Sequence, residues 1–293
     1  MKTSNFQRSV AIHDGAFHAD EVTATAFLIV YDLVNKDRIY RTRDFDVIEK
    51  AEYVCDVGGI YDEKTKRFDH HQVEYTGPLS SVGMVLLYLK NKKIISEKLY
   101  HYFNDYLVWG IDQHDNGHII LEKGICYFSD VVANFLPVEY GVSEEEMQKS
   151  FSEALDFCIG YIKRMIKRFN YLGRCREIVK EKMKSKDKVL VFDEAMSWQE
   201  SFFELGGKDH PALFIVMPSQ NHWKLRGIPP SWDERMQVRK SLPEKWAGLH
   251  EKELRDITKI EGAVFCHKGR FISIWETKED ALKAAKLVLE ENL

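Results

Sequence analysis

Four short segments within the first 112 residues carry imidazoles and carboxylates in combinations that suit divalent metal ions. They read His13-Asp-Gly-Ala-Phe-His18-Ala-Asp20-Glu21, Cys55-Asp56 ahead of Gly58-Gly59, Asp69-His70-His71-Gln72, and Gly110-Ile-Asp112. Imidazole mixed with carboxylate favours Mn, Fe, Co or Zn, whereas Mg and Ca prefer oxygen alone. Six residues stand as candidate ligands: His13, His18, Asp20, Asp56, His70 and Asp112. Six exceed what one ion with open positions can use, but two ions about 3.5–4 Å apart, sharing a bridging carboxylate, accommodate them. Asp56 is the candidate for that bridge. The five cysteines form no CxxC pair, which argues against a closed structural zinc site.

These residues need elements that bring them together. Val10-Ala-Ile12 runs into His13, Glu52-Tyr-Val-Cys55 into Asp56, and Arg67-Phe68 into Asp69. Short apolar runs that stop at Gly, Asp or His read as buried strands ending in functional loops. In an open α/β sheet, ligands gather beyond the carboxyl ends of the strands. Helices are expected over Asp20–Tyr31, Ser81–Leu89 and Glu97–Trp109, so the first part alternates strand and helix as a parallel sheet requires. Ser80 and Ser81, opening a helix just after the histidine pair, either cap it or offer free N–H groups to an anionic substrate. Plainer readings exist elsewhere too: Asp20 suits a first helical turn, and Asp69-His70-His71 a solvated turn.

At these residues the chain resembles the DHH phosphoesterase superfamily, whose manganese-dependent members include family II pyrophosphatases, RecJ-type exonucleases and oligonucleotide phosphodiesterases. Asp69-His70-His71 is similar to the eponymous triplet, Asp56 to the second motif and Asp112 to the fourth. The strings HDGAFHADE, DVGGIYD, RFDHHQ, SSVGM and GIDQHDNG, with GIPPSW, LPEKWAGL and GAVFCHKGRFI further on, resemble the melanocyte-proliferating-gene (MYG) family of DHH-like hydrolases. That likeness spans essentially the whole chain. It implies that His13, His18 and Asp56 hold one metal, and Asp20, Asp56, His70 and Asp112 the other. Asp69 and His71 become the catalytic members of the triplet, with His71 facing the phosphate. The first motif departs from the superfamily's His-x3-Asp-x-Asp: here it is His13-x4-His18-x-Asp20, a nitrogen-richer set that favours Mn, Co or Zn over Mg.

A chain of 293 residues with 44% hydrophobic content can bury a full core and suggests about two domains. No stretch approaches the roughly 18 apolar residues of a membrane span, and no apolar signal segment opens the chain. An odd number of scattered cysteines fits a reducing compartment. A soluble intracellular protein is expected, cytoplasmic, with nuclear or mitochondrial presence in a eukaryote. Nothing in the sequence sets an oligomeric state. The charge of −4 is uneven: residues 1–160 hold 16 basic and 26 acidic side chains, residues 161–188 hold 11 and 3. The basic stretch has Ile162, Met165, Ile166 and Phe169 at helical spacing, so it reads as an amphipathic helix. Its charges are either a solvated face or a track for phosphodiester backbone.

The expected architecture is α/β: a DHH-like dinuclear metal domain with a parallel sheet over residues 1–142, a helical connector over 143–187, and a smaller α+β substrate-binding domain over 188–293. In the last, His222, Lys224 and Arg226 alternate along one strand and so share a face. Three such donors suit capture of a phosphate across an interdomain cleft. Gly206-Gly207-Lys208-Asp209-His210 lacks Walker spacing and reads as a turn. The expectation is a phosphoesterase using two divalent ions, Mn2+ foremost, with Mg2+, Co2+ or Zn2+ as alternatives. The MYG likeness implies 3′-to-5′ exonuclease activity on RNA. The alternatives are a hydrolase of a small phosphate ester or pyrophosphate, or a metal-binding regulatory protein.

Overall fold

The computed structural model describes residues 6–120 and 122–291. The chain divides into two compact units, Met1–Phe169 and Asn170–Leu293. The first opens with β1 (Val10–Ile12), α1 (Ala19–Val30), β2 (Ile39–Arg41), α2 (Phe45–Lys50), β3 (Tyr53–Cys55), β4 (Tyr61–Asp62) and β5 (Arg67–Phe68). Then follow α3 (Ser81–Asn91), α4 (Glu97–Phe103), a π-turn (Asn104–Val108), α5 (Trp109–Asp115), α6 (Phe128–Ala133) and the start of α7 (Glu144–Lys182). The strand order is β2-β1-β3-β5-β4. The first four strands run parallel, and β4 returns antiparallel to β5.

Strand alternation sends neighbouring residues to opposite faces of this sheet. Val10, Ile12, Tyr53, Cys55 and Phe68 enter the main core beneath α1 and α3, while Ala11 and Val54 enter a smaller one with Ile48 of α2 and Ala51 just after it. Both faces are thus covered, which is why the strands read as unbroken apolar runs. The edge strand β2 and the helix α2 lack that signature and were not legible in the sequence. The helix expected over Glu97–Trp109 is helical throughout but not regular. The π-turn interrupts it, and α5 continues to Asp115. Such turns add a residue to the helical repeat and recur at functional sites.

The second unit takes the end of α7, then β6 (Val189–Val191), α8 (Gln199–Glu204), β7 (Phe214–Ser219), β8 (His222–Gly227), α9 (Glu251–Thr258), β9 (Ala263–Cys266), β10 (Ile272–Trp275) and α10 (Lys278–Glu290). Its strand order is β6-β7-β8-β10-β9, parallel only between β6 and β7. Phe214, Val216, Leu225 and Trp275 pack with α10, while Leu190, Ile215 and Met217 pack with Cys175 and Val179 of α7. Mixed α/β structure with parallel sheet regions is therefore present. Among the described residues no helix is long and apolar enough to cross a membrane, and all five cysteines are unpaired.

Candidate metal centre

Three of the metal-type segments stand at the carboxyl ends of β1, β3 and β5, and the fourth lies on α5. His13 follows β1 directly and is 5% exposed. Its Nδ1 lies 2.8 Å from the Asp14 carbonyl oxygen, so an Nδ1–H donates there and Nε2 turns inward. That Nε2 is 3.2 Å from Glu21 Oε1 and 3.3 Å from Asp56 Oδ2. Fixing the outer ring nitrogen on a carbonyl is the usual way a ligating imidazole is oriented. His18 occupies the N-cap of α1, and its backbone N–H donates to Glu21 Oε1 at 2.8 Å. The His18 ring centroid lies 5.4 Å from that of His13.

Asp56 is 5% exposed and adopts a φ of 55°, left-handed backbone that an L-residue enters at a cost of about 1–2 kcal/mol. The strain aims its carboxylate between two histidines. Oδ2 faces His13, and Oδ1 lies 3.5 Å from His70 Nε2. His70 Nε2 is also 3.1 Å from Asp115 Oδ2. His13, His18, Glu21 and Asp56 can each offer one atom to a common ion, as can Asp20, His70 and Asp115. Asp56, His70 and His71 form a third overlapping set. Both Asp20 oxygens, Glu21 Oε2 and Asp56 Oδ1 are buried without a hydrogen-bond partner. Orphaned carboxylate oxygens in a dry interior are costly unless a cation meets them, so the donor set fits divalent metal.

The electrostatics agree. Burial lowers the basicity of His13, but hydrogen bonds to Asp56 and Glu21 outweigh it and push its pKa up to about 10. Asp115, then Asp56, push His70 up to about 10 despite burial. Asp56 is also buried, yet the two imidazoles hold its carboxyl well below the usual range. Burial, then the charges of Asp56 and Glu21, drive Asp20 well above it.

Asp112 is placed elsewhere. It is 2% exposed and receives the Ser80 backbone N–H at 3.0 Å and the Ser80 hydroxyl at 2.7 Å. A Cβ on Gly83 would collide with its Oδ2. Asp115, one helical turn later, is the α5 carboxylate that meets His70. The α5 carboxylate that lies against His70 is thus three residues beyond Asp112. Ser80 and Ser81, expected to bind substrate, are both fully buried, and the Ser80 N–H and hydroxyl donate to the chain's own Asp112 carboxylate. Glu21 and Asp115, not among the six candidate ligands, join these clusters, and they lie inside the strings HDGAFHADE and GIDQHDNG. The spacing of Asp112 and Asp115 puts them on one helix face, but sequence does not say which turn meets the metal.

Asp69 is 2% exposed and fully engaged. Its Oδ2 accepts from Gly59 N at 2.6 Å, and its Oδ1 from His71 N at 3.0 Å, with His71 Nδ1 at 2.8 Å. It positions His71, whose side chain is 63% exposed and lines a cavity of about 930 Å³ over the clusters. His222, Lys224 and Arg226 belong to the second unit. The register puts them on one face of β8 beside Met217, Ile215, Ile272 and Ile274. Lys224 and Arg226 are half-buried, which lowers the pKa of each, and neither has an ion pair among the described residues.

Comparison with known proteins gives concordant matches along the chain. The family model MYG1_exonuc, described as Uncharacterised protein family (UPF0160), matches residues 9–289. The MYG1 protein of Chlamydia pneumoniae is 50% identical over 284 residues, 97% of this chain and 97% of that one. The MYG1 exonuclease of Mus musculus is 26% identical over 327 residues, 96% of this chain and 85% of that one. The crystal structure of RecJ in complex with Mn2+ from Thermus thermophilus aligns with 98% of this chain and 53% of its own, at 10% identity and a TM-score of 0.28. That likeness is too low to bear on fold or function.

Proposed function

Since this chain belongs to the MYG1 exonuclease family (UPF0160), we propose that it is a metal-dependent phosphodiesterase that trims RNA from the 3′ end with two divalent ions, foremost Mn2+. The observation that carries this proposal is the position of Asp56, the residue common to the His13/His18/Glu21 set and the set of His70 and His71. One ion would be held by His13, His18, Glu21 and Asp56, the other by Asp20, His70, Asp115 and Asp56. When bound, such a pair supplies Lewis acidity and acidifies water near neutral pH. The imidazole-rich donor set supports Mn over Mg.

The chain's own groups do the rest. Asp69 anchors His71 through Nδ1, which leaves Nε2 for an oxygen of the reacting phosphate. Apolar residues Phe17, Ile111 and Leu136 line the cavity with the polar set and limit water around the reacting group. His222, Lys224 and Arg226 share one face of the second unit's sheet, a set of donors that suits a phosphate. The division into a DHH-like metal domain (1–142), a helical connector (143–187) and a substrate domain (188–293) belongs to this same proposal. The name of the mouse relative, an exonuclease, supports a nucleic-acid substrate.

The test is a screen of purified protein with Mn2+ against end-labelled RNA, DNA, pyrophosphate and a generic phosphodiester. Stepwise shortening of 5′-labelled RNA is expected. Turnover of pyrophosphate alone would replace the polymer reading with a small-molecule one, and turnover of none would reject the enzyme.

A further inference from the structure

The cavity over the ligand clusters is larger than a phosphoryl group needs. Its volume of about 930 Å³ lies near the top of the range for small-ligand sites, about 300–1,000 Å³. One part of its wall is neither metal-type nor catalytic: Arg43, Phe45, Ile48 and Val57. Phe45 is 70% exposed, and its ring has no aromatic partner among the described residues. The fold does not need it there. Ile48, 5% exposed, fastens α2 to the sheet with Ala11 and Val54.

The backbone around Phe45 is nevertheless tethered. Asp44 N–H donates to Thr42 Oγ1 at 3.0 Å, and Asp46 N–H donates to Asp44 Oδ1 at 2.9 Å. An exposed aromatic ring is thus presented by a pinned segment at the mouth of a polar site. Two residues earlier, Arg43 Nε donates to Asp14 Oδ1 at 3.0 Å, and Asp14 adjoins His13. The metal-bearing loop therefore holds the guanidinium at the rim, and its Nη groups have no partner among the described residues. A flat apolar face beside a fixed, forked cation suits one class of ligand: an aromatic base joined to phosphate.

We propose that Phe45 and Arg43 form a nucleoside subsite, in which the base of the nucleotide whose phosphate lies at the ligand clusters stacks on Phe45 while Arg43 binds a neighbouring phosphate oxygen. This rests on the reading that a phosphate ester reacts at those clusters. Stacking accepts any base face, so the subsite separates base-bearing phosphates from baseless ones without selecting among bases.

Binding of AMP and of ribose 5-phosphate to the full-length Mn2+-loaded protein, followed by calorimetry, tests it. Wild type should favour AMP by roughly fivefold to a hundredfold, the range that base–aromatic stacking spans. Phe45→Ala should abolish that preference and Phe45→Trp should keep it, with Mn2+ content unchanged in both. Equal affinity for the two ligands in wild type, or a preference that survives Phe45→Ala, would overturn the subsite. A short oligoribonucleotide that binds Phe45-dependently and more tightly than AMP assigns the nucleotide to a chain end; equal binding assigns it to a free nucleotide. Failure of the function itself is separable. A protein that turns over no phosphodiester yet discriminates AMP through Phe45 loses the activity and keeps the subsite, whereas one that hydrolyses diesters without discriminating loses the subsite alone.

Discussion

Asp112 and Ser80 are joined by two hydrogen bonds in a fully buried setting. The Ser80 N–H and its hydroxyl both donate to Asp112 Oδ1, at 3.0 and 2.7 Å. The contact locks the start of α3 to α5. Asp115 sits one turn further along α5, with its Oδ2 3.1 Å from His70 Nε2. One short helix thus carries a structural carboxylate and a metal-type carboxylate three residues apart.

Replacement of the two should therefore differ. Asp112→Ala leaves the Ser80 donors unpaired and should destabilise the metal-free protein by about 1–3 kcal/mol, read from denaturant unfolding. Asp115→Ala should cost less stability but lower Mn2+ content, read by elemental analysis after dialysis. Equal metal loss in both variants, with no stability loss in Asp112→Ala, would return the ligand role to Asp112.

Asp112 also sets a pH dependence. Burial pushes its pKa up to about 7 although Ser80 and Gly83 hydrogen bonds oppose the rise. A carboxyl whose folded pKa exceeds its unfolded value, about 4, is better tolerated protonated, so its contribution is present below about pH 4 and lost as pH rises through 7. Asp112→Asn imitates the protonated form. The stability of metal-free wild type relative to this variant should decline between pH 4 and 7 and level off above. A pH-independent difference would show that Asp112 is ionised throughout.

Metal uptake should release protons. His13 and His70, both raised to about 10, are protonated at neutral pH in the metal-free protein, and ligation requires their neutral form. Their ion pairs stabilise the metal-free fold below about pH 6.5, and that contribution is lost as pH rises through 10. Calorimetry of Mn2+ binding at pH 8 in buffers of different ionisation enthalpy should register a proton from each, diminishing toward pH 10. No buffer dependence would mean that these imidazoles are already neutral.

Asp56 and the two triplet histidines should divide by role. Wild type is expected to hold close to two Mn2+ per chain, and Asp56→Ala to lose both. His70→Ala should reduce metal content, while His71→Ala should keep metal and lower turnover by about 10²-fold or more, the range for a positioned acid or base group. A stable single-metal wild type rejects the bridge, and equal metal loss in the two histidine variants rejects their division.

The basic face of α7 gives a test of substrate length. Lys163, Arg164, Lys167 and Arg168 are exposed and have no ion pair among the described residues. If they track a nucleic-acid backbone, binding of single-stranded RNA should weaken steeply with salt, by about 0.7 of log–log slope per phosphate neutralised. Changing all four to Glu should flatten that slope. RNA affinity indifferent to both salt and charge reversal makes the face merely solvated and favours a small substrate.

Much of the candidate site could be read from residue order alone. Val10–Ile12, Tyr53–Cys55 and the single Phe68 are apolar because both sheet faces are covered, and each run ends where polar residues begin, so His13, Asp56 and Asp69 fall at the carboxyl ends of neighbouring strands. Local chemistry also marks the start of α10 at Thr277, whose hydroxyl accepts from Asp280 N. Tertiary structure decided what depends on side chains meeting across elements. Whether Asp112 or Asp115 faces His70 turns on the phase of α5 after a five-residue π-turn, which no hydrophobic period encodes. That Ser80 meets a carboxylate rather than a substrate depends on α5 packing against α3 where Gly83 leaves room. Glu21 joins the cluster because the first turn of α1 is buried, and Phe45 stands exposed because its neighbours, not its own ring, hold α2 to the sheet. Residue order supplies the groups; packing, by excluding water and setting distances, determines which of them act together.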